Sequence, residues 1–198
     1  MRDYTQELGP ARLARLKEVV SRRRRDIIVV LEGIHDPHNA EAIFRTCDAF
    51  GVQEAWLVFG KEKPWNPKSI GKSSSSAANK WLDFKSLSIE KAVAELKSKG
   101  YRVYATALTQ GAKPLGETRF SGKAALLLGN EHEGLSKKAL GLADEIVMLP
   151  MLGMVQSLNV SVTAAIFLHE MCRQMPAKPL PKKEQQALLK DFAKRARG

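Results

Sequence analysis

Short apolar runs rich in β-branched residues alternate along the chain with longer segments whose apolar residues recur every three or four positions. The runs predict strands and the longer segments predict amphipathic helices. A continuously apolar run such as 27–31 is typical of a parallel strand covered on both faces. The predicted strands are 27–31, 55–59, 101–108, 124–128 and 146–149, with a shorter one at 81–84. The predicted helices are 5–22, 40–50, 89–99, 137–143, 160–174 and 182–197.

This alternation of strands and helices predicts an α/β fold with a mostly parallel sheet and helices on both faces. The 198 residues suffice for one domain with a substantial core. No apolar run reaches the length of a membrane span, and the first residues lack the apolar core of a signal peptide. We therefore expect a cytoplasmic protein. Residues 60–80, with four consecutive serines, predict a surface loop or a lid.

The net charge of +11 is concentrated at the two ends of the chain. Residues 1–25 hold eight Lys and Arg against three Asp and Glu, residues 171–198 hold eight against two, and residues 26–170 hold sixteen of each sign. This pattern divides the chain into a basic helical extension at 1–26, an α/β body at 27–175 and a second basic extension at 176–198. Basic segments on a neutral body indicate contact with a polyanion, although two solvated helices with no partner fit the same charges.

The candidate anion-binding residues include four adjacent arginines, which repel one another and gain from an external anion. The full set is Arg22, Arg23, Arg24, Arg25, Lys182, Lys183, Lys194 and Arg195. Removing residues 1–25 or 180–198 is expected to weaken binding of the polyanion while sparing the body.

Three polar loops, each directly after a predicted strand, carry the candidate chemistry. Ligands of open α/β sheets bind at the carboxyl ends of the strands, where such loops lie. The first loop opens a helix in which Asn39 and Arg45 are less than two turns apart and can approach one face. The second loop, 129–134, has a glycine at each end but lacks dinucleotide-motif spacing. The third, 149–159, places apolar side chains beside uncharged polar ones.

Each of these signals also fits an ordinary structural role. Asn39, Ser157 and Asn159 are favoured helix N-caps, and Arg45 fits a solvated helix surface.

No metal site is expected from the sequence. His132 lies between two glutamates, but a solvated loop explains it better because no second ligand cluster is nearby. Cys47 and Cys172 are far apart without metal-ligand spacing, and we expect both as reduced thiols.

Taken together, three segments in this order resemble the three motifs of the SpoU family of RNA 2′-O-ribose methyltransferases. They are NAEAIFRTCDAFG at 39–51, LGNEHEGLS at 128–136 and LPMLGMVQSLNVS at 149–161. The Pro37-His-Asn tripeptide and the MLGMVQSLN stretch are most similar to the TrmH subgroup, which methylates a guanosine in the tRNA D-loop. The resemblance covers the body from about residue 27 to residue 174.

The resemblance implies a deep trefoil knot in the C-terminal part of the sheet, with S-adenosylmethionine bound in it. It also implies a homodimer in which the partner's first motif helps complete the site. The apolar residues of helix 160–174 fit a dimer contact, although burial within one chain would also explain them. The implied cofactor-binding residues are Thr106, Leu108, Gly129, Asn130, Leu149, Met151, Ser157 and Leu158.

The resemblance further implies that Arg45 is the general base, supported by Asn39, while Glu131, Ser157 and Asn159 shape the cofactor and ribose pocket. Because a guanidinium is not normally deprotonated, charge stabilisation and phosphate positioning are an alternative role for Arg45.

The implied substrate is tRNA, with guanosine 18 as the target, and the basic extensions then bind RNA phosphates. Two alternatives stay open. One is methylation of another ribose, in rRNA or the anticodon loop, and the other is a non-catalytic RNA-binding protein.

Overall fold

The computed structural model describes residues 3–60, 64–68 and 78–197. Within them, seven strands form one sheet in which every neighbouring pair is parallel. The strands are β1 Arg24–Glu32, β2 Val52–Val58, β3 Asp83–Ser86, β4 Tyr101–Thr106, β5 Lys113–Pro114, β6 Lys123–Leu128 and β7 Glu145–Met148. Their order across the sheet is β3-β2-β1-β6-β4-β7-β5. The predicted α/β class with a parallel sheet is confirmed.

The α-helices follow the predicted periodicity closely. They are α1 Pro10–Ser21, α2 Pro37–Ala49, α3 Ile89–Ser98, α4 Lys137–Leu142, α5 Val160–Gln174 and α6 Lys182–Arg195. Three short 3-10 helices, Tyr4–Glu7, Ala78–Trp81 and Leu115–Glu117, complete the described elements. Proline at the first position starts α1 and α2, where its missing N–H has no helical partner to lose.

The structure differs from the prediction at several element boundaries, and three of these differences illustrate the causes. β1 begins at Arg24, three residues before the predicted start, because polar residues there still pair with β2. Trp81 ends a 3-10 helix rather than starting a strand. The two-residue β5 pairs with β7 at the edge of the sheet and is too short to leave a periodic pattern.

Alternate residues of each central strand face opposite sides of the sheet, and each side has its own core. Ile27, Val29 and Leu31 of β1 pack with α2 and α5, whereas Ile28 and Val30 pack with α3 and α4. The prediction of helices on both faces is therefore confirmed.

Strand register brings the carboxyl ends of four strands to the same side of the sheet. Leu31 of β1 pairs with Leu128 of β6, and Ala105 of β4 pairs with Leu127 of β6. Thr106 at the end of β4 pairs with Val147 of β7. Since parallel strands end together, the loops after β1, β6, β4 and β7 meet on that side.

The two terminal extensions pack against each other. Leu16 and Val20 of α1 form a third apolar cluster with Leu188 and Phe192 of α6. The Phe192 ring lies 5.1 Å from the ring of Trp81, which joins the cluster to the body. The extensions form one helical unit rather than two separate arms.

The predicted surface loop or lid at 60–80 lies largely outside the described residues. In its described part, Trp65 packs edge-on against Phe59, with ring centroids 5.5 Å apart. Both cysteines are free, and burial raises the pKa of Cys47 to about 12. Along the described chain, no helix is long and apolar enough to cross a membrane.

Candidate active site

A pocket of about 380 Å³ opens where β6, β4 and β7 end. This volume lies within the range of about 300–1,000 Å³ that is typical of small-molecule sites. The three strands are neighbours in the sheet, so the loops that follow them form adjoining walls. All eight residues predicted to bind the cofactor line the pocket: Thr106, Leu108, Gly129, Asn130, Leu149, Met151, Ser157 and Leu158.

The pocket combines apolar walls with a few polar groups. Leu108, Met151 and Leu158 supply apolar surface, and Ser157 supplies a hydroxyl. The Thr106 hydroxyl also lines the pocket, but it donates to the Leu127 carbonyl at 3.0 Å and so ties β4 to β6. Such a lining suits a ligand with a flat apolar part and polar edges.

Several pocket residues were not foreseen from the sequence, among them two on α5. Thr163 and Phe167 of α5 line the pocket, whereas the sequence assigned the apolar residues of this helix to a dimer contact or to the core of one chain. Phe167 is in fact buried, and its contact with the pocket follows from the packing of α5 beside the strand ends. No local sequence signal distinguishes this second use.

Three of the predicted catalytic residues are joined by hydrogen bonds beside the pocket. The Asn39 side-chain amide donates to Glu131 Oε1 at 2.7 Å, and its oxygen accepts from the Asn159 amide at 2.9 Å. The Asn159 oxygen in turn accepts from the Ser161 backbone N–H at 2.8 Å, capping α5. Each amide group therefore has a fixed orientation, because both its ends are used. The relay links α2, the β6–α4 loop (residues 129–136) and α5.

Arg45 stands apart from this relay. Its side chain is exposed on α2 and does not line the pocket. Its side chain makes no hydrogen bond and no ion pair with any of the described residues. Six residues from Asn39 correspond to about 240° around a helix, so the two side chains leave α2 in different directions.

The β6–α4 loop folds back tightly on itself. A Cβ on Gly129 would lie 2.2 Å from the backbone carbon of Gly134, so only glycine fits there. The Asn130 side chain holds the loop by accepting from the His132 and Glu133 backbone N–H groups and donating to the Gly33 carbonyl at 2.8 Å. The loop that carries Glu131 is thus rigidly attached to the end of β1.

The loop before α5 exposes apolar side chains next to the pocket. Leu152 and Met154 are fully exposed, and Val155 is 61% exposed. Val162, on the outer face of α5, is 46% exposed. Several large exposed apolar side chains in one short loop are typical of an interaction surface.

The potential metal ligands do not converge. Among residues 3–60, 64–68 and 78–197, no group of three or more His, Cys, Asp or Glu side chains is arranged to hold a metal ion. His132 lies at the pocket wall as part of a solvated loop.

The model of the SpoU rRNA methylase family matches residues 26–169 of this chain. This chain belongs to the SpoU methylase family. The matched region holds all of the sheet except the first two residues of β1, together with the pocket and the relay, and it leaves most of the two terminal extensions outside.

Three relatives illustrate the range of similarity within the SpoU family. A tRNA (guanosine(18)-2′-O)-methyltransferase from Thermus thermophilus is 43% identical over 175 residues, which cover 88% of this chain and 86% of the relative. The crystal structure of an A. aeolicus TrmH/SpoU tRNA modifying enzyme aligns with a TM-score of 0.85 at 32% identity, covering 94% and 96% of the two chains. An AdoMet-bound rRNA methyltransferase from Sinorhizobium meliloti aligns with a TM-score of 0.67 at 25% identity, covering 80% of this chain and 59% of that one.

Two of the arginines predicted to contact RNA are buried in this SpoU-family protein. Arg23 and Arg24 are each 1% exposed. Arg23 pairs with Asp48, while Arg24 pairs with Asp26 and donates to the Met175 carbonyl at 2.8 Å, at the C-terminal end of α5. The expectation that these two residues bind RNA is wrong. Both side chains are buried, and their partners are carboxylates and a carbonyl of the protein itself instead of RNA phosphates.

Arg25 and Arg195 form an ion-pair network that fastens α6 to the sheet. Both contact Asp83, the first residue of β3, at 2.8 and 2.6 Å. Burial raises the pKa of Asp83, but the hydrogen bonds and charges of Arg195 and Arg25 outweigh this effect, so its pKa is lowered. Arg25 also pairs with Glu54, and Arg195 donates to the Leu82 carbonyl. These two arginines therefore have structural partners, and their contact with RNA stays a prediction.

The other predicted RNA-binding cations lie on the surface. Lys182, Lys183 and Lys194 of α6 are exposed. Arg22 is exposed too, and pairs with Glu18 at 3.0 Å. Since exposed pairs of this kind contribute little, Arg22 can exchange its partner for a phosphate.

Proposed function

We propose that this chain transfers a methyl group from S-adenosylmethionine to the ribose 2′-oxygen of guanosine 18 in tRNA. The observation that carries the proposal is the pocket formed by the loops after β4, β6 and β7, with Asn39 of the first motif hydrogen-bonded beside it to Glu131 and Asn159. The T. thermophilus relative is named for this activity. Because the substrate is tRNA, we place the activity in the cytoplasm.

The pocket residues fit the proposed cofactor. S-adenosylmethionine supplies a methyl group on a positively charged sulfur. Leu108, Met151 and Leu158 can cover the faces of an adenine and a methionine chain, while Ser157 and the backbone of 129–131 can serve polar edges. The S. meliloti neighbour, which shares this fold, is AdoMet-bound.

Arg45 has the proposed central role in the chemistry. A ribose hydroxyl is a weak nucleophile, so its proton must leave as the new oxygen–carbon bond forms. We assign Arg45 either to accept that proton or, because a guanidinium is not normally deprotonated, to bind the neighbouring RNA phosphate and stabilise charge. Asn39, Glu131, Ser157 and Asn159 shape the ribose and cofactor site in both cases.

The fold proposal includes a deep trefoil knot in the segment from β4 to α5. It is supported by membership of the SpoU family and by a sheet order in which β6 and β7 lie on either side of β4.

A homodimer is proposed because the site is incomplete in one chain. Arg45 lies outside the pocket of its own chain, while Leu152, Met154 and Val162 offer an apolar surface nearby. Most of the apolar side of α5, including Phe167 and Leu168, is already buried within one chain. The dimer contact therefore depends on the exposed loop before α5 and on Val162 rather than on the whole helix.

Met154→Asp is expected to weaken this dimer, because a carboxylate at a fully exposed apolar position would become buried in the contact. Sedimentation at micromolar concentration should give twice the 21.9 kDa chain mass for the wild type and a shift toward the monomer for the variant. Gln186→Asp, on the exposed face of α6, serves as control. A wild type that sediments only as the monomer contradicts the dimer.

The triple variant Lys182→Ala, Lys183→Ala and Lys194→Ala is expected to bind tRNA more weakly and with less salt dependence. The binding constant K falls as the salt concentration rises, and each lost phosphate contact makes the plot of log K against log salt less steep by about 0.7–0.9. Cofactor affinity should be unchanged, because these lysines lie outside the pocket. A matched triple variant, Lys91→Ala, Lys97→Ala and Lys138→Ala, removes the same charge from α3 and α4. Equal losses in both triples contradict a specific role for α6.

The activity itself is tested with labelled S-adenosylmethionine and bulk tRNA, followed by mapping of the methylated nucleotide. Label at guanosine 18 is expected. Label only in rRNA or only in the anticodon loop would keep the family chemistry and reject this target. Calorimetry that detects no binding of S-adenosylmethionine would favour a non-catalytic RNA-binding protein.

A further inference from the structure

The mechanism proposed above leaves one buried acidic side chain without a role. Glu32 is the last residue of β1 and is only 9% exposed. Its two carboxylate oxygens accept hydrogen bonds from the same residue, Ser136. The Ser136 backbone N–H donates to Oε2 at 2.8 Å, and the Ser136 hydroxyl donates to Oε1 at 2.8 Å.

Ser136 is itself fixed from the other side. Its hydroxyl oxygen accepts from the Ala139 backbone N–H at 3.1 Å and so caps α4. A hydroxyl has a single donor, and here that donor is committed to Glu32. Glu32 therefore determines both where the β6–α4 loop ends and where α4 begins.

The start of the β6–α4 loop is attached to Gly33, the residue that follows Glu32. The Gly33 carbonyl accepts from the Asn130 amide at 2.8 Å. Glu32 and Gly33 together hold both ends of a loop that lines the pocket at Gly129 and Glu131. The next segment of the chain after Gly33 leads into α2, whose Asn39 donates to Glu131.

We infer that Glu32 is a positioning residue, which locks the β6–α4 loop in its cofactor-binding arrangement and registers it against the catalytic helix α2. The inference rests on the proposed S-adenosylmethionine site. Glu32 acts through Ser136, and no part of it lines the pocket.

The physical consequence is a change in apparent cofactor affinity. If the loop loses its attachment, the binding-competent arrangement is only partly populated, and the apparent dissociation constant rises in inverse proportion to that population. A Glu32→Gln substitution keeps the shape of the side chain. It replaces one carboxylate oxygen, which accepts a hydrogen bond from Ser136, with an NH2 group that cannot accept one. A loop that is competent about one tenth of the time would bind about tenfold more weakly.

The experiment measures S-adenosylmethionine binding by calorimetry for the wild type, Glu32→Gln, Ser136→Ala and the double variant. Each single variant should weaken binding by about tenfold, and the double variant by little more, because both changes remove the same contact. Ser136→Thr, which retains the hydroxyl, should restore binding close to wild type. The KM for S-adenosylmethionine should rise in parallel, whereas tRNA affinity should stay constant.

Asp144→Asn is the matched control. The Asp144 carboxylate also accepts a backbone N–H, from Val103 at 2.8 Å, but at the opposite end of the sheet. The Asp144→Asn variant should lower thermal stability as Glu32→Gln does, but it should leave cofactor affinity unchanged. This difference separates a positioning role of Glu32 from a general structural one.

The outcomes distinguish this inference from the proposed function. If the wild type binds S-adenosylmethionine and both Glu32→Gln and Ser136→Ala bind it equally well, the positioning role is overturned and the proposed function stands. Multiplying effects in the double variant also overturn it. If the wild type itself shows no binding, both fail. Should Glu32→Gln not fold, Ser136→Ala and Ser136→Thr decide, because Ser136 is an exposed position that tolerates small changes.

Discussion

Replacing Arg45 with alanine is expected to lower the rate of methyl transfer to tRNA by about 10²–10⁴-fold. This is the usual range for removing a side chain that transfers a proton in the transition state. The rate should fall whether Arg45 accepts the ribose proton or stabilises charge at the neighbouring phosphate. Cofactor affinity should change little, because Arg45 does not line the pocket. Single-turnover transfer from labelled S-adenosylmethionine, with calorimetry of the same preparation, measures both quantities.

Arg102→Ala provides the control for Arg45→Ala. Arg102 is an exposed arginine on β4 that pairs with Glu145 and lies outside the pocket. Its loss removes the same charge without touching the proposed chemistry, so activity should stay near wild type. Wild-type turnover by Arg45→Ala with intact cofactor binding would reject both proposed roles. Arg45→Lys keeps a cation but separates the two roles only in part, because a lysine amine can also accept a proton.

A mixture of Arg45→Ala and Glu131→Ala chains tests whether the site is shared. Each variant alone should be inactive, but one site of a mixed dimer would combine an intact pocket with an intact Arg45 from the other chain. About a quarter of the wild-type rate is expected, since half of randomly formed symmetric dimers are mixed and each has one complete site of two. No recovery on mixing would mean that Arg45 serves the pocket of its own chain.

The second large effect concerns stability. Phe192→Ala is expected to lower the free energy of unfolding by about 3–5 kcal/mol, as for other fully buried phenylalanines. The ring is 0% exposed, contacts Trp81, and has the guanidinium groups of Arg23 and Arg195 about 5.4–5.5 Å from its centre. Against a typical total of about 5–15 kcal/mol, this loss is severe. Urea unfolding followed by circular dichroism measures it.

Gln186→Ala, on the exposed side of the same helix, is the control for Phe192→Ala. Surface substitutions of this kind usually change stability by no more than about 0.5 kcal/mol. If Phe192→Ala unfolds at the wild-type urea concentration, α6 is not docked as the structure has it.

The same packing changes what a deletion of the basic extensions would do. Removing residues 180–198 takes away Phe192 and Arg195 and exposes Leu16, Val20 and Trp81. The expected result is loss of folded protein, not a folded body with weaker RNA binding. Substitution of surface lysines is therefore the sound way to measure the RNA contribution.

Local patterns in the sequence predicted most of the secondary structure. The apolar run 27–31 forms the centre of β1, and the small-residue segment after Asn159 forms α5 with the predicted bounds. Both predictions are confirmed because a continuous apolar run indicates a strand buried on both faces, and a capping residue before a helical segment indicates where the helix begins. β5 escaped prediction, because two residues paired at a sheet edge have no periodicity.

The pocket was also predictable, for a different reason. The resemblance to the SpoU family, in agreement with the rule that ligands bind at strand carboxyl ends, put residues 106–108, 129–131 and 149–158 together. The structure adds the hydrogen bonds among Asn39, Glu131 and Asn159, which depend on the distance between loops far apart in sequence.

The sequence by itself determined the strand and helix pattern, the parallel α/β class, the three motif loops and their family. Only the tertiary structure decided which of the charged side chains in the terminal extensions are exposed and which are buried. Four adjacent arginines look like one external binding surface, yet two are buried, because the fold brings Asp48 to Arg23 and the Met175 carbonyl to Arg24, which also pairs with its sequence neighbour Asp26. Burial of a charge depends on whether a partner arrives from elsewhere in the fold, since an unpaired buried ion is too costly. No local pattern contains that information.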